Sequence, residues 1–281
     1  FYDADGIVDR YVPYMLEDIS RSCTELFIVC NGKLTSEGRE TFRKLTPHIF
    51  VRENTGFDVW AYKESLEHYG WDQLKEFDEV VMMNSTIMGP LYPFSEMFDE
   101  MNQRDVDFWG ITKHHKYPSD PFHSISYGYI PEHVQSHFIA VRNSMLSSME
   151  FQDYWADRPE ITSYDMAISQ HEAIFTKTFA DKGFQWDVYV DTSDLEGFAY
   201  YPLTMAPVRM LAQYRCPIFK RRSFFHDYRD VLTCSAGEEG RLLLEYLETQ
   251  TAYDVSMIWE NILRTCHMAD IKAALNLTWV L

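Results

Sequence analysis

The sequence predicts an α/β protein, with a mostly parallel sheet flanked by helices and a small helical extension at the C-terminal end. Three observations carry this. Short apolar runs, Leu26-Phe27-Ile28-Val29-Cys30, Ile49-Phe50-Val51 and Val80-Val81-Met82-Met83, are each closed by polar or glycine turns. Such runs read as strands buried on both faces. Helical stretches alternate with them at the spacing of βαβ units, which implies parallel neighbours. Finally, 281 residues at 46% hydrophobic and 16% aromatic are enough to bury a large core.

In order along the chain, Phe1-Tyr2-Asp3 reads as the end of a leading strand, so the sequence is expected to be a piece of a longer protein. Residues 7–20 place Val8, Tyr11, Val12, Met15 and Ile19 on one helical face. Pro13 fits there only near the helix start. The first strand stops at Asn31-Gly32. A short polar helix covers 36–45, and the second strand closes in Arg52-Glu53-Asn54-Thr55-Gly56. Residues 59–69 are helical up to Gly70, and the third strand stops at Asn84-Ser85-Thr86. Further helices are expected at 93–101, 144–155 and 172–181, and further strands at 108–112, 138–141 and 186–190. Between them, residues 113–130 lack any period and read as a long functional loop. Helices at 238–248 and 254–265 follow. The organisation expected is one domain over 1–225 and a helical extension over 226–281.

Charge and cysteines set limits. Lys plus Arg number 25 and Asp plus Glu 43, a net charge of −18. So acidic a surface is unsuited to gripping nucleic-acid phosphates or anionic lipid. Anionic ligands must be met locally, by helix N-termini and a few placed cations. No apolar run reaches 18 residues, so no spanning helix is expected. Membrane association would come through parts outside this chain. Cys23, Cys30, Cys216, Cys234 and Cys266 are odd in number and widely spaced, which argues against a zinc site or disulfide framework. Cys23 and Cys30 read as core, and a cytoplasmic setting is expected.

Ligands of parallel sheets bind beyond the carboxyl ends of the strands. That singles out the loops holding Asp3, Asp5, Asn31, Arg52, Asn54, Gly56, Asp58, Asn84 and Ser85. The densest is Arg52 to Asp58, where Asn54 and Gly56 suit a sharp turn close to a ligand. Asp58 reads equally as a helix cap. Asp105-Val106-Asp107 precedes its strand and reads as a turn. The histidines His114, His115, His123, His133 and His137 lack zinc spacing and read as part of a polar loop folded over substrate or solvent. Glu172 at a helix start is either dipole-stabilised or a general base. Lys220 and Arg221, in the basic run 220–222, read as a phosphate-side patch or a solvated loop.

The ordered motifs Tyr2-Asp3-Ala4-Asp5-Gly6-Ile7-Val8-Asp9, Asn31-Gly32, Arg52-Glu53-Asn54-Thr55-Gly56-Phe57-Asp58, Asn84-Ser85-Thr86-Ile87-Met88-Gly89-Pro90, Asp105 to Thr112 and Gly183 to Tyr189 together resemble the rhamnan synthesis protein F family. Tyr253-Asp254-Val255 and Ile258-Trp259 extend the likeness towards the end. The resemblance implies a GT-A-like glycosyltransferase of bacterial polysaccharide synthesis, moving rhamnose from dTDP-rhamnose to a lipid-linked or polysaccharide acceptor, at the inner face of the cell membrane. In that setting the nine loop residues would bind donor, Arg52, Lys220 and Arg221 would balance phosphate, and Asp58 or Asp5 would hold ribose or base. Glu172 would be the catalytic base of an inverting transfer, with Asp165 and Asp187 as rivals. The family often has an aspartate where Ser85 stands. Neutral oxygens are weak ligands for magnesium or manganese, so no cofactor is firmly expected. The alternative is a non-catalytic carbohydrate-binding or scaffolding domain on the same fold. A dehydrogenase is disfavoured because no GxGxxG follows a strand.

Overall fold

The structure, a computed structural model, describes residues 1–226 and 238–277. Its elements run α1 (Tyr11–Ile19), β1 (Ile28–Asn31), α2 (Ser36–Arg43), β2 (Ile49–Arg52), α3 (Phe57–Tyr69), α4 (Trp71–Leu74), β3 (Glu79–Met83), β4 (Ile87–Met88) and α5 (Phe94–Met101). Next come β5 (Phe108–Gly110), β6 (Lys113–His114), β7 (His133–Val134), β8 (Phe138–Arg142), α6 (Asn143–Leu146), α7 (Met149–Ala156) and α8 (Tyr164–Ala167). A π-helical turn, Ile168–Glu172, joins α8 to α9 (Ala173–Ala180), followed by β9 (Trp186–Val188), α10 (Pro202–Met205), α11 (Pro207–Ala212) and β10 (Phe219–Lys220). The helices α12 (Glu239–Gln250), α13 (Ser256–Thr265) and α14 (Met268–Ala274) complete the order.

The chain divides into two compact units. The first comprises residues 1–8, 25–85 and 97–191, and the second residues 9–24, 86–96 and 192 onwards. In the first unit β1 and β2 pair in parallel, with Asn31 level with Arg52, and Tyr2 bridges Asn31 in parallel on the other side. Tyr2 thus makes a single parallel bridge beside β1. A four-stranded sheet follows in the order β3-β8-β5-β9. Here β8 runs antiparallel to both β3 and β5, while β5 and β9 are parallel.

The sheets are therefore mixed rather than mostly parallel. The reason is local. A helix carries the chain from β1 to β2, which keeps direction, but a hairpin carries it from β5 to β8, which reverses it. That hairpin occupies the stretch read as an aperiodic loop. Its base is β6 paired with β7, and Tyr117 pairs with Ile130 further out. At its tip the Asp120 carboxylate accepts from the backbone N–H groups of Phe122 and Ile125. Ile125 and Ile130 pack with Ala173 in a core of their own, beside Tyr117, Phe122, Tyr127, Ile168 and Ile174. The main core of the unit gathers Val59, Tyr62 and Leu66 of α3, Ile139 and Val141 of β8, and Trp155, Phe175 and Phe179 of the helices.

In the second unit β4 and β10 pair antiparallel. Pro13 occupies the first turn of α1, where its missing N–H is harmless. Asp9 is buried and accepts from Asn261 Nδ2 at 2.6 Å and from Arg264 Nη2 at 2.6 Å. Cys30 and Cys216 are buried, but Cys23 is exposed, which corrects its reading as core. Cys234 lies outside the described residues. No helix among the described residues is long and apolar enough to cross a membrane.

Candidate active site

Arg52 ends β2, level with Asn31 at the end of β1. Its side chain is almost wholly buried. Nε and Nη2 donate to the two carboxylate oxygens of Glu64 at 2.7 and 2.5 Å. Nη1 donates to Asn31 Oδ1 at 2.8 Å and to the Thr55 carbonyl at 3.0 Å, and Nη2 also reaches Thr55 Oγ1 at 3.4 Å. A guanidinium has five N–H donors, and all five face protein acceptors here. Arg52 therefore offers none to a phosphate, which corrects that expectation. It ties β1, β2 and α3 together at the loop edge, and its charge holds the Glu64 carboxyl below the usual range.

The turn beyond Arg52 is strained. Gly56 has φ +67°, and a Cβ there would sit 2.2 Å from Trp60 Cγ, so only glycine fits. Phe57 also has positive φ, +56°, unusual for a bulky residue. Its carbonyl accepts from Asn31 Nδ2 at 3.3 Å. Asn54 lies on the loop surface with its Cβ close to Gly32. Asp3 is buried and accepts from the N–H groups of Asp5 and Ile7, both at 3.0 Å, so it shapes its own loop. Asp5 is exposed.

Asp58 lies in the first turn of α3. Its Oδ2 accepts from Asn84 Nδ2 at 2.8 Å. Two loops singled out in the sequence thus meet, one after β2 and one after β3. Ser85 follows Asn84 in the same turn, partly buried. One turn after Asp58, the buried Tyr62 donates its hydroxyl to the Ser136 carbonyl at 2.9 Å. Burial first, then the charges of Asp58 and Glu172, push this phenol well above its ordinary pKa, while a hydrogen bond with Asn84 opposes them.

Ser136 is the hub. Its N–H donates to Glu172 Oε2 at 3.1 Å, and its hydroxyl donates to the same oxygen. Asp58, Asn84, Tyr62, Ser136 and Glu172 are thereby joined into one polar array. Glu172 does not open a helix, however. The helical run starts at Ser163, whose side chain caps Met166 N, and continues through the π turn that Glu172 closes. Glu172 therefore has no helix N-terminus of its own, and its carboxylate accepts instead from both Ser136 donors. π turns recur at functional sites.

Of the five histidines, His123 is exposed and His114 partly buried. His115, His133 and His137 are buried. His114 and His133 stack across β6 and β7, with centroids 5.0 Å apart. Burial pushes His171 down to about 3, and its Nδ1 meets the Tyr154 hydroxyl at 2.9 Å. The rival bases stand elsewhere. Asp165 is exposed, and Asp187 pairs with Arg104 at 2.9 Å. Asp107 accepts from Gln185 N and Ser144 Oγ, as a turn residue does. Lys220 and Arg221 belong to the second unit, where Lys220 Nζ contacts Thr86 Oγ1 and Arg221 Nη1 donates to Asn261 Oδ1. Tyr62, Glu64 and Ser136 were missed in the sequence. Asp58 and Tyr62 stand at i and i+4 on one helical face, the signal that could have found Tyr62. Ser136 had no local signal.

Against known families, the model of rhamnan synthesis protein F matches residues 26–280, nearly the whole chain. The chain belongs to the rhamnan synthesis protein F family. A curated relative, the uncharacterized protein y4gN of Sinorhizobium fredii, is 21% identical over 183 residues, covering 65% of this chain and 45% of that protein. The chain thus spans less than half the length of that relative.

Among the described residues no group of three or more His, Cys, Asp or Glu side chains converges as a metal set. Beside Asn84-Ser85-Thr86 the Asp58 carboxylate accepts from Asn84 Nδ2.

Proposed function

We propose that this chain is a GT-A-like glycosyltransferase, moving a sugar, rhamnose by preference, from a nucleotide sugar to a growing polysaccharide with inversion. One observation supports it above others: Ser136 ties the Glu172 carboxylate to the Tyr62-Asn84-Asp58 array beside the ends of β2 and β3. In this reading Asp58 and Asn84 meet hydroxyls of the donor, with Asp3, Asp5, Asn31, Asn54, Gly56 and Ser85 shaping the loops around it. Arg52 positions those loops rather than touching phosphate. Glu172 takes the proton of an acceptor hydroxyl. That oxygen bonds to the anomeric carbon as the bond to the nucleoside diphosphate breaks on the opposite face, which inverts the carbon. The donor of preference is dTDP-rhamnose, and the acceptor a lipid-linked or polysaccharide chain at the inner face of the membrane, reached through parts beyond this chain.

A second reading has its own support. Arg52 offers no free donor, and Asn84-Ser85-Thr86 lacks a carboxylate. A carbohydrate-binding domain that has lost transfer would carry both features. Calorimetric titration with dTDP-rhamnose and a set of UDP-sugars, followed by a product assay, separates the two. Donor binding with product supports the transferase. Saccharide binding with no product from any donor would leave the binding domain.

A further inference from the structure

An exposed phenylalanine is ordinary on a protein surface. One held in left-handed backbone is not, because a bulky side chain disfavours that region. Phe57 is both, with φ +56° and 39% of its surface exposed. Its backbone is fixed on either side. The preceding Gly56 lies against Trp60, whose Nε1 donates to the Pro159 carbonyl at 3.1 Å. The Phe57 carbonyl accepts from Asn31 Nδ2 at 3.3 Å, and Asn31 Oδ1 accepts in turn from the buried Arg52. No aromatic ring among the described residues stacks on Phe57. The fold thus holds a ring that water reaches, at a conformational cost.

The place of Phe57 along the sheet edge points to its use. It sits at the ends of β1 and β2, which are tied to each other there by Gly32 N donating to the Arg52 carbonyl at 2.8 Å. Glu172 sits at the end of β3 instead. It is held by Ser136, and the next residue, His137, accepts at its carbonyl from Asn84 N at 3.2 Å. Asp58, joined to Asn84, stands between the two places. A nucleotide sugar is long, with the reacting carbon near one end and the base at the other. With the anomeric carbon beside Glu172 and hydroxyls on Asp58 and Asn84, the base falls on the side of β1 and β2.

Phenylalanine has no side-chain donor or acceptor, so it meets a face rather than an edge. A diphosphate has no such face. A nucleobase does, and stacking on an aromatic ring stabilises any base because each has a π-face. Hydrogen-bonding groups for the edge of a base stand on the same loops, in the exposed Asp5 and Asn54. We propose that Phe57 is the platform on which the nucleobase of the donor stacks. This rests on the transferase reading above. Phe57 is a binding residue in it and takes no part in the proton transfer to Glu172.

The test is calorimetric titration with dTDP, which carries the base without the sugar, and with rhamnose 1-phosphate, which carries the sugar without the base. Phe57→Leu keeps an apolar side chain but removes the aromatic face, and should weaken dTDP binding roughly tenfold or more. Phe57→Tyr keeps the ring and should bind dTDP as the wild type does. Rhamnose 1-phosphate should bind all three proteins equally. A second measurement needs no variant: in proton NMR the thymine methyl and H6 signals of dTDP should move upfield on the wild-type protein, as stacking on a ring requires. Equal dTDP affinity in Phe57→Leu, or thymine signals that stay in place while dTDP binds, overturns the role of Phe57 alone. A loss confined to rhamnose 1-phosphate would put the sugar on the ring and overturns it as well. Failure of wild-type protein to bind any nucleotide or nucleotide sugar overturns the transferase reading instead.

Discussion

Arg52 and Glu64 form a two-bond pair, 2.7 and 2.5 Å, that fastens the end of β2 to α3. Arg52 is buried in it and Glu64 partly exposed. Lysine at 52 would supply three donors from a single point and could not reach Glu64, Asn31 and Thr55 together. Arg52→Lys should cost about 1–3 kcal/mol, read by urea unfolding. Glu64→Gln should cost less, about 1 kcal/mol, because water already screens that partner. Glu64 titrates below its ordinary value in the fold, so the stability it adds is full above the unfolded pKa and is lost as pH falls through the folded one.

The strained turn makes two opposite predictions. Gly56→Ala places a Cβ against Trp60 at a φ that disfavours it and should destabilise by about 1–3 kcal/mol. Phe57→Gly relieves a left-handed phenylalanine whose ring is already partly in water, and should leave the thermal midpoint unchanged or raised by about 1 kcal/mol equivalent. A fall of similar size at both positions would show that Phe57 is not strained.

His171 fixes a pH window. Its folded pKa, about 3, lies below the unfolded value near 6.5. The unfolded chain binds the proton first, so stability is full above about pH 6.5 and declines as pH falls towards 3. The slope from this ring is at most about 1.4 kcal/mol per pH unit. His133 is shifted in the same direction and adds to it. His171→Phe should flatten the pH dependence of the unfolding midpoint between pH 6.5 and 5.

Transfer should largely survive a chelator. The expectation comes from the donor set, one carboxylate at Asp58 beside the neutral Asn84 and Ser85. Complete loss of product in chelator, restored by manganese, would mean that a cation completes the Asp58 site.

The strands and helices of the first half were legible because each buried strand is a continuous apolar run with a polar stop. The loops after β2 and β3 were legible as a site for the same reason, and the structure joins them through Asp58 and Asn84. What was hidden depended on partners distant in sequence. Arg52 looks like a phosphate ligand until Glu64, Asn31 and Thr55 are seen around it. The hairpin at 113–134 has no period because its strands are two residues long and its core is shared with α9. Glu172 looked like a helix start because a π turn breaks the 3.6-residue repeat just before it. Ser136 has no mark in the sequence at all, and its role follows only from β7 lying along the helix that carries Glu172.

Glu172→Gln tests the central claim most directly. Glutamine keeps the shape and can still accept from Ser136, but it cannot take a proton from the acceptor. With dTDP-rhamnose as donor, the turnover number should fall roughly 10²–10⁴-fold, while donor affinity by calorimetry stays within a few-fold of wild type. Asp165→Asn and Asp187→Asn, measured alongside, should turn over normally. Normal turnover by Glu172→Gln, with either aspartate variant inactive, would contradict the account and move the base there.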